Sequence, residues 1–159
     1  MDIDGKLESY RENKFPNLYH TQYSVTSKQS TSYNCFAWAA GEDDACGNPK
    51  RERWWSPIDP DNMYYWVEGV TAELSMSAFI QAYKSLGYEL CNNSELEVGF
   101  EKIAIYATSD GEPTHAARQL SNGKWTSKLG RWEDIEHELE GLTGEMYGSV
   151  QQILKRQTY

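Results

Sequence analysis

The spacing of apolar positions changes several times along the chain, and each change marks an element. Residues 1–33 are polar, rich in Ser, Thr, Asn and Tyr, and carry no sustained apolar period; they predict an irregular arm that packs locally. At Asn34-Cys35-Phe36-Ala37-Trp38-Ala39-Ala40 the character switches. Phe36, Ala39 and Ala40 at helical spacing predict a short buried helix beginning near Cys35, with Asn34 as its N-cap. Gly41 and the acidic Glu42-Asp43-Asp44 end it. A long loop follows, from about Cys46 to Val70, with Pro57, Pro60 and the clusters Trp54-Trp55 and Tyr64-Tyr65-Trp66. A loop of that length covers a core or lines a site.

Thr71 to Leu86 reads as an amphipathic helix with Met76, Phe79, Ile80, Tyr83 and Leu86 on one stripe and Gly87 at its C-terminal cap. Tyr88–Cys91, Phe100–Ala107, Thr114–Leu120 and Trp125–Leu129 read as strands, with Asp110-Gly111 and Asn122-Gly123 as turns. The tail predicts two helices, one carrying Ile135, Leu139 and Leu142, the other Met146, Val150, Ile153 and Leu154. With no repeat and no linker, 1–159 is expected to be a single α+β domain: a helix bearing Cys35, a small antiparallel sheet bearing His115, and closing C-terminal helices.

Composition narrows the function classes. Fifteen Lys and Arg stand against 24 Asp and Glu, a net charge of −9. So acidic a chain lacks the basic footprint that nucleic acid or an anionic membrane requires. No run approaches the roughly 18 apolar residues of a membrane span, and the N-terminus lacks the apolar stretch of a signal peptide. Three cysteines, Cys35, Cys46 and Cys91, argue against a disulfide framework. Neither their spacing nor that of His20, His115 and His137 is that of a metal site, and no metal or other cofactor is expected. The expected setting is cytoplasmic and monomeric.

Any cysteine that matters must then act through its thiol. Cys35 at a helix start is placed where amide groups and the helix dipole favour the thiolate; the plainer alternative is a buried structural cysteine. Gln29-Ser30-Thr31-Ser32-Tyr33-Asn34-Cys35-Phe36-Ala37-Trp38-Ala39-Ala40 resembles the nucleophile segment of papain-like cysteine peptidases and amidases, where a Gln lies six residues before the Cys. Thr114-His115-Ala116 and Trp125-Thr126-Ser127-Lys128-Leu129-Gly130 are similar to that superfamily's later strands. The size is nearer the small bacterial NlpC/P60 and CHAP enzymes, and YNCFAWA, THAARQL and WTSKLG also resemble segments of an uncharacterised bacterial family.

The resemblance implies a papain-like core, a nucleophilic Cys35, a general base His115 and an oxyanion donor Gln29. It supplies no Asn to orient the histidine; Ser127 is the first candidate, with Asp134 and Gln119 as alternatives. Trp54, Trp55 and Trp66 are candidate walls of a groove for a protein or peptide substrate, or else cover the core. Glu133 to Glu145 reads as a solvated face, with His137, like His20, on the surface. Arg118 and Lys128 could bind a substrate carboxylate or, the preferred reading, pair with Glu133 or Asp134. The expected activity is hydrolysis of an amide bond through an acyl-enzyme. The rival expectation is a non-catalytic acidic binding or immunity-type protein with a papain-like shell.

Overall fold

The structure, a computed structural model, describes residues 5–27, 34–40, 55–58, 60, 64, 66–129 and 132–158. In chain order the helices are α1 (Ser9–Glu12), α2 (Cys35–Ala39) and α3 (Met76–Lys84). The strands are β1 (Tyr23–Val25), β2 (Glu89–Cys91), β3 (Phe100–Ala107), β4 (Pro113–Gln119), β5 (Trp125–Lys128), β6 (Asp134–His137) and β7 (Ser149–Gln157), with 3-10 turns at Pro16–Tyr19 and Leu139–Leu142. All seven strands join one sheet in the order β1-β6-β5-β4-β3-β7-β2, and every neighbouring pair is antiparallel.

This corrects the expected fold class. The body is a seven-stranded antiparallel sheet with a few short helices, not an α+β papain-like core closed by C-terminal helices; among the described helices only α3 exceeds five residues. The two helices expected in the tail are strands β6 and β7. The reason lies in burial. β7 runs between β3 and β2, and both its faces are covered at its centre, where Leu154 joins one apolar cluster and Ile153 the other. A strand covered on both sides need not alternate, so its apolar residues crowd into spacings that mimic a helix.

The two clusters define the layers. On one face Ile103, Ile105, Ala116 and Leu154 pack under Ala37, Ala39 and Ala40 of α2, Phe79, Ala82 and Tyr83 of α3, and Trp55. α3 starts at Met76, five residues after the Thr71 start that the pattern suggested, where Ser75 caps it by accepting from the Ala78 amide. On the other face Ala104, Tyr106, Ala117, Trp125, Ile135 and Ile153 pack under Leu7, Phe15 and Leu18 of the N-terminal arm and Leu142 of the tail. The arm is therefore not local. β1 pairs with β6, and Arg11 forms a buried ion pair with Glu133 while lying over Trp132. The expected solvated face at its start is likewise corrected: Glu133, Asp134 and His137 are buried.

A tight turn delivers Tyr147 onto that second face. Gly144 and Gly148 exchange backbone hydrogen bonds, and Gly148 sits at φ 77°, where a Cβ would meet the Ala107 carbonyl oxygen at 2.0 Å. Both the backbone angle and the contact demand glycine. Gly148→Ala is expected to destabilise the fold by about 2 kcal/mol or more, read as a lower urea midpoint at unchanged m-value; an unshifted midpoint would show that the turn yields.

Candidate functional site

Helix α2 is five residues long, too short to be stable alone, and its neighbours hold it. Asn34 accepts from the Ala37 amide at 3.1 Å and donates to the Trp55 carbonyl at 2.7 Å, so the cap also ties down the aromatic loop. The Tyr83 hydroxyl donates to the Phe36 carbonyl at 2.9 Å. The Trp38 indole N–H donates to Thr126 Oγ1 on β5 at 3.1 Å. Cys35 is thereby fixed at one end of a clamped turn, 7 % exposed.

The sheet opens where α2 sits. β4 and β5 are in register only at Arg118↔Thr126 and Gln119↔Trp125, so the stretch from Pro113 to Ala117 has no bridge to β5. α2 packs against both strands there. The backbone amides of Ala116, next to His115, and of Phe36 and Cys35 itself act on the Cys35 thiol in the direction of the thiolate. Burial pushes the thiol up to about 12 against the opposing pull of those three amides and of the Lys128 charge. In this closed arrangement the thiol keeps its proton.

His115 stands opposite Tyr106 on β3. Its ring stacks on Tyr147, with centroids 4.1 Å apart and planes 7° from parallel, and meets Tyr106 edge-on. It is fully buried, and among the described residues neither ring nitrogen has a hydrogen-bond partner. Burial holds its pKa well below the ordinary histidine value, with His137 adding to the effect. The structure brings Cys35 to the backbone beside His115 but gives the imidazole no hydrogen bond to the thiol.

Ser127 does not orient His115. Its hydroxyl lies 2.7 Å from His137 Nε2, while His137 Nδ1 lies 2.7 Å from the Glu138 carbonyl. A carbonyl only accepts, so Nδ1 carries the proton and Nε2 accepts from Ser127. His137, expected at the surface, is fully buried, and its pKa falls to about 4 because of that burial. Its tail position gave no signal of this; only the pairing of β5 with β6 creates it.

Of the alternatives to Ser127, Asp134 accepts from Ser27 at 2.7 Å and Gln119 donates to the Ser94 carbonyl at 2.8 Å. Trp55 is a core residue stacked on Tyr83. Trp66 packs edge-on against Phe79, with its N–H on the Val70 carbonyl. Gln29 and Trp54 lie outside the described residues. His20 is exposed.

Among the described residues no group of His, Cys, Asp or Glu is arranged to hold a metal ion, and no helix is long and apolar enough to cross a membrane. The family described as Domain of unknown function (DUF7689) matches residues 24–155, from β1 to β7 and including Cys35, His115, Ser127 and His137. No curated protein and no solved structure shows significant similarity to the chain.

Proposed function

We propose, from the premise that this chain belongs to the DUF7689 family, that it is a cysteine-dependent hydrolase of amide bonds with Cys35 as nucleophile and His115 as general base. What supports the reading is that the backbone amides of Ala116, Phe36 and Cys35 favour the Cys35 thiolate next to His115, a buried histidine whose two nitrogens have no hydrogen-bond partner among the described residues. A buried polar group without a partner is destabilising, and active sites are where such groups are kept. Both described cysteines, Cys35 and Cys91, are free thiols, which suits a reducing, cytoplasmic setting.

A raised thiol pKa and a lowered imidazole pKa favour a neutral pair over a thiolate–imidazolium pair. His115 then takes the thiol proton as sulfur attacks the carbonyl carbon, in one step. The oxyanion collapses, the C–N bond breaks, and the proton passes from His115 to the leaving amine. Water, deprotonated by the same imidazole, attacks the thioester, and the proton returns to sulfur as the acid leaves. Protein or peptide substrates fit this chemistry.

One observation favours a second reading. Cys35 is nearly closed off from solvent, as a structural thiol would be in a non-catalytic acidic binding or immunity-type protein.

Acetylation by p-nitrophenyl acetate separates the two. The hydrolase reading predicts a burst of p-nitrophenolate stoichiometric with protein and an acetyl group mapped to the Cys35 peptide. Cys35→Ser is expected to abolish the burst, and His115→Ala to slow it by about 100-fold or more. Acetylation at Cys35 no faster than at Cys91, or unaffected by His115→Ala, would leave Cys35 as a structural thiol.

A further inference from the structure

Arg118 lies on β4, three residues beyond His115, and its guanidinium stacks over the indole of Trp38, 4.7 Å from the ring centroid. The indole cannot drift, because its N–H is bonded to Thr126, the residue directly across from Arg118 in the β4–β5 register. Arg118 is half-buried, with its guanidinium over a fixed platform. A contact with the ring uses none of the guanidinium's N–H donors, and these suit a planar acceptor.

No such acceptor is supplied by the described residues. Among the described residues Arg118 has no hydrogen bond and no ion pair, in a protein with nine more acidic than basic residues. The acids nearby in the sheet are taken. Glu101 accepts from Arg156 and Tyr88, Asp134 faces Lys128 in register and accepts from Ser27, and Glu136 accepts from Asn122. The pairing of Arg118 with Glu133 or Asp134 that its strand position suggested is not formed. Glu133 is held by Arg11 instead.

The place of this group relative to Cys35 follows from helix geometry. Cys35 and Trp38 are three residues apart on α2, hence on one face and roughly 5 Å apart along the axis. A carboxylate held by Arg118 would lie within a residue or two of a carbonyl presented to Cys35. We propose that Arg118, on its Trp38 platform, binds a carboxylate of the substrate and selects amides with a free carboxylate close to the scissile bond. The inference rests on the hydrolase reading for the word substrate, and on the unpaired guanidinium alone for the carboxylate.

The test uses N-acetyl-glycine and N-acetyl-glycinamide, which differ only in the carboxylate beside the amide, as probes of the full chain, with the Arg Nε–H resonances followed by NMR and Arg118 assigned from Arg118→Lys. Saturable binding of N-acetyl-glycine, absent for N-acetyl-glycinamide, is expected in the wild type and equally in Cys35→Ala. Arg118→Gln is expected to weaken it by about tenfold or more, and Arg118→Lys, which keeps the charge without the fork, by less. Thermal unfolding checks that both variants are folded. Equal binding of the two probes, or undiminished binding in folded Arg118→Gln, overturns the carboxylate site whatever Cys35 does. Binding through Arg118 with no acetylation at Cys35 sustains the carboxylate site and overturns the hydrolase reading instead.

Discussion

Replacing His115 by Phe is expected to give a protein that no longer acetylates at Cys35 and yet unfolds at a higher temperature than the wild type. Phe retains the flat ring that stacks on Tyr147 at 4.1 Å and fills nearly the same volume. What it removes are two ring nitrogens buried without a partner. An unsatisfied buried polar atom is destabilising by about 1–3 kcal/mol, so their loss should raise stability by roughly 2 kcal/mol. For a domain of this size that corresponds to an increase in Tm of about 4–8 °C. The same substitution deletes the base that the hydrolase reading assigns to the thiol, with an expected loss in acylation rate of about 100-fold or more. A scanning calorimetry trace with and without the substitution, beside the p-nitrophenyl acetate burst, measures both. A lower Tm would mean that the imidazole nitrogens serve the fold, and the functional account of His115 would lose its main support.

The protein should also weaken in mild acid, well before its carboxylates titrate. His137 is fully buried and stays neutral down to about pH 4 in the folded chain, and His115 is shifted in the same direction. Once unfolded, both titrate near 6.5. Between these values the unfolded chain binds protons that the folded chain refuses, so stability is fully present above about pH 6.5 and falls as pH drops toward 4. From pH 7 to pH 5 each such histidine withdraws about 2 kcal/mol. Urea midpoints at the two pH values should differ accordingly, and His137→Gln should abolish one histidine's share of the difference. His137→Gln must still fold at pH 7 for the comparison, since Gln can accept from Ser127 and donate to the Glu138 carbonyl in place of the imidazole. A midpoint that does not move between pH 7 and pH 5 would mean that His137 takes up its proton inside the fold.

The local pattern of residues was enough to find several elements and one end of the site. FEKIAIYA is strand β3, Phe100–Ala107, to the residue. Asn34 before an Ala-rich turn is the N-cap of a helix starting at Cys35. Met76, Phe79, Ile80 and Tyr83 lie in a helix that Ser75 caps. In each, the signal is a capping side chain or an apolar run that needs only its own neighbours in sequence. Where burial on a second face set the pattern, the local reading failed. β7 spaces Val150, Ile153 and Leu154 like a helix because two layers bury it, and the N-terminal arm looked unstructured because its few apolar residues, Leu7, Phe15 and Leu18, are spent on a distant sheet face.

The site divides along the same line. Cys35 and His115 are visible as residue types at suggestive positions, but what surrounds each is a matter of tertiary pairing. β4 pairs with β5 only at Arg118 and Gln119, the Ala116 amide of the unpaired stretch acts on the Cys35 thiol, and the register of β5 on β6 gives Ser127 to His137, while His115 has no hydrogen-bonding partner among the described residues. Short-range sequence determines which backbone a residue prefers and where a helix or strand starts. Which polar groups end up paired, and which are left free in the interior, is decided only when strands far apart in the chain come into register, because a hydrogen bond across a sheet depends on the alignment of both strands at once.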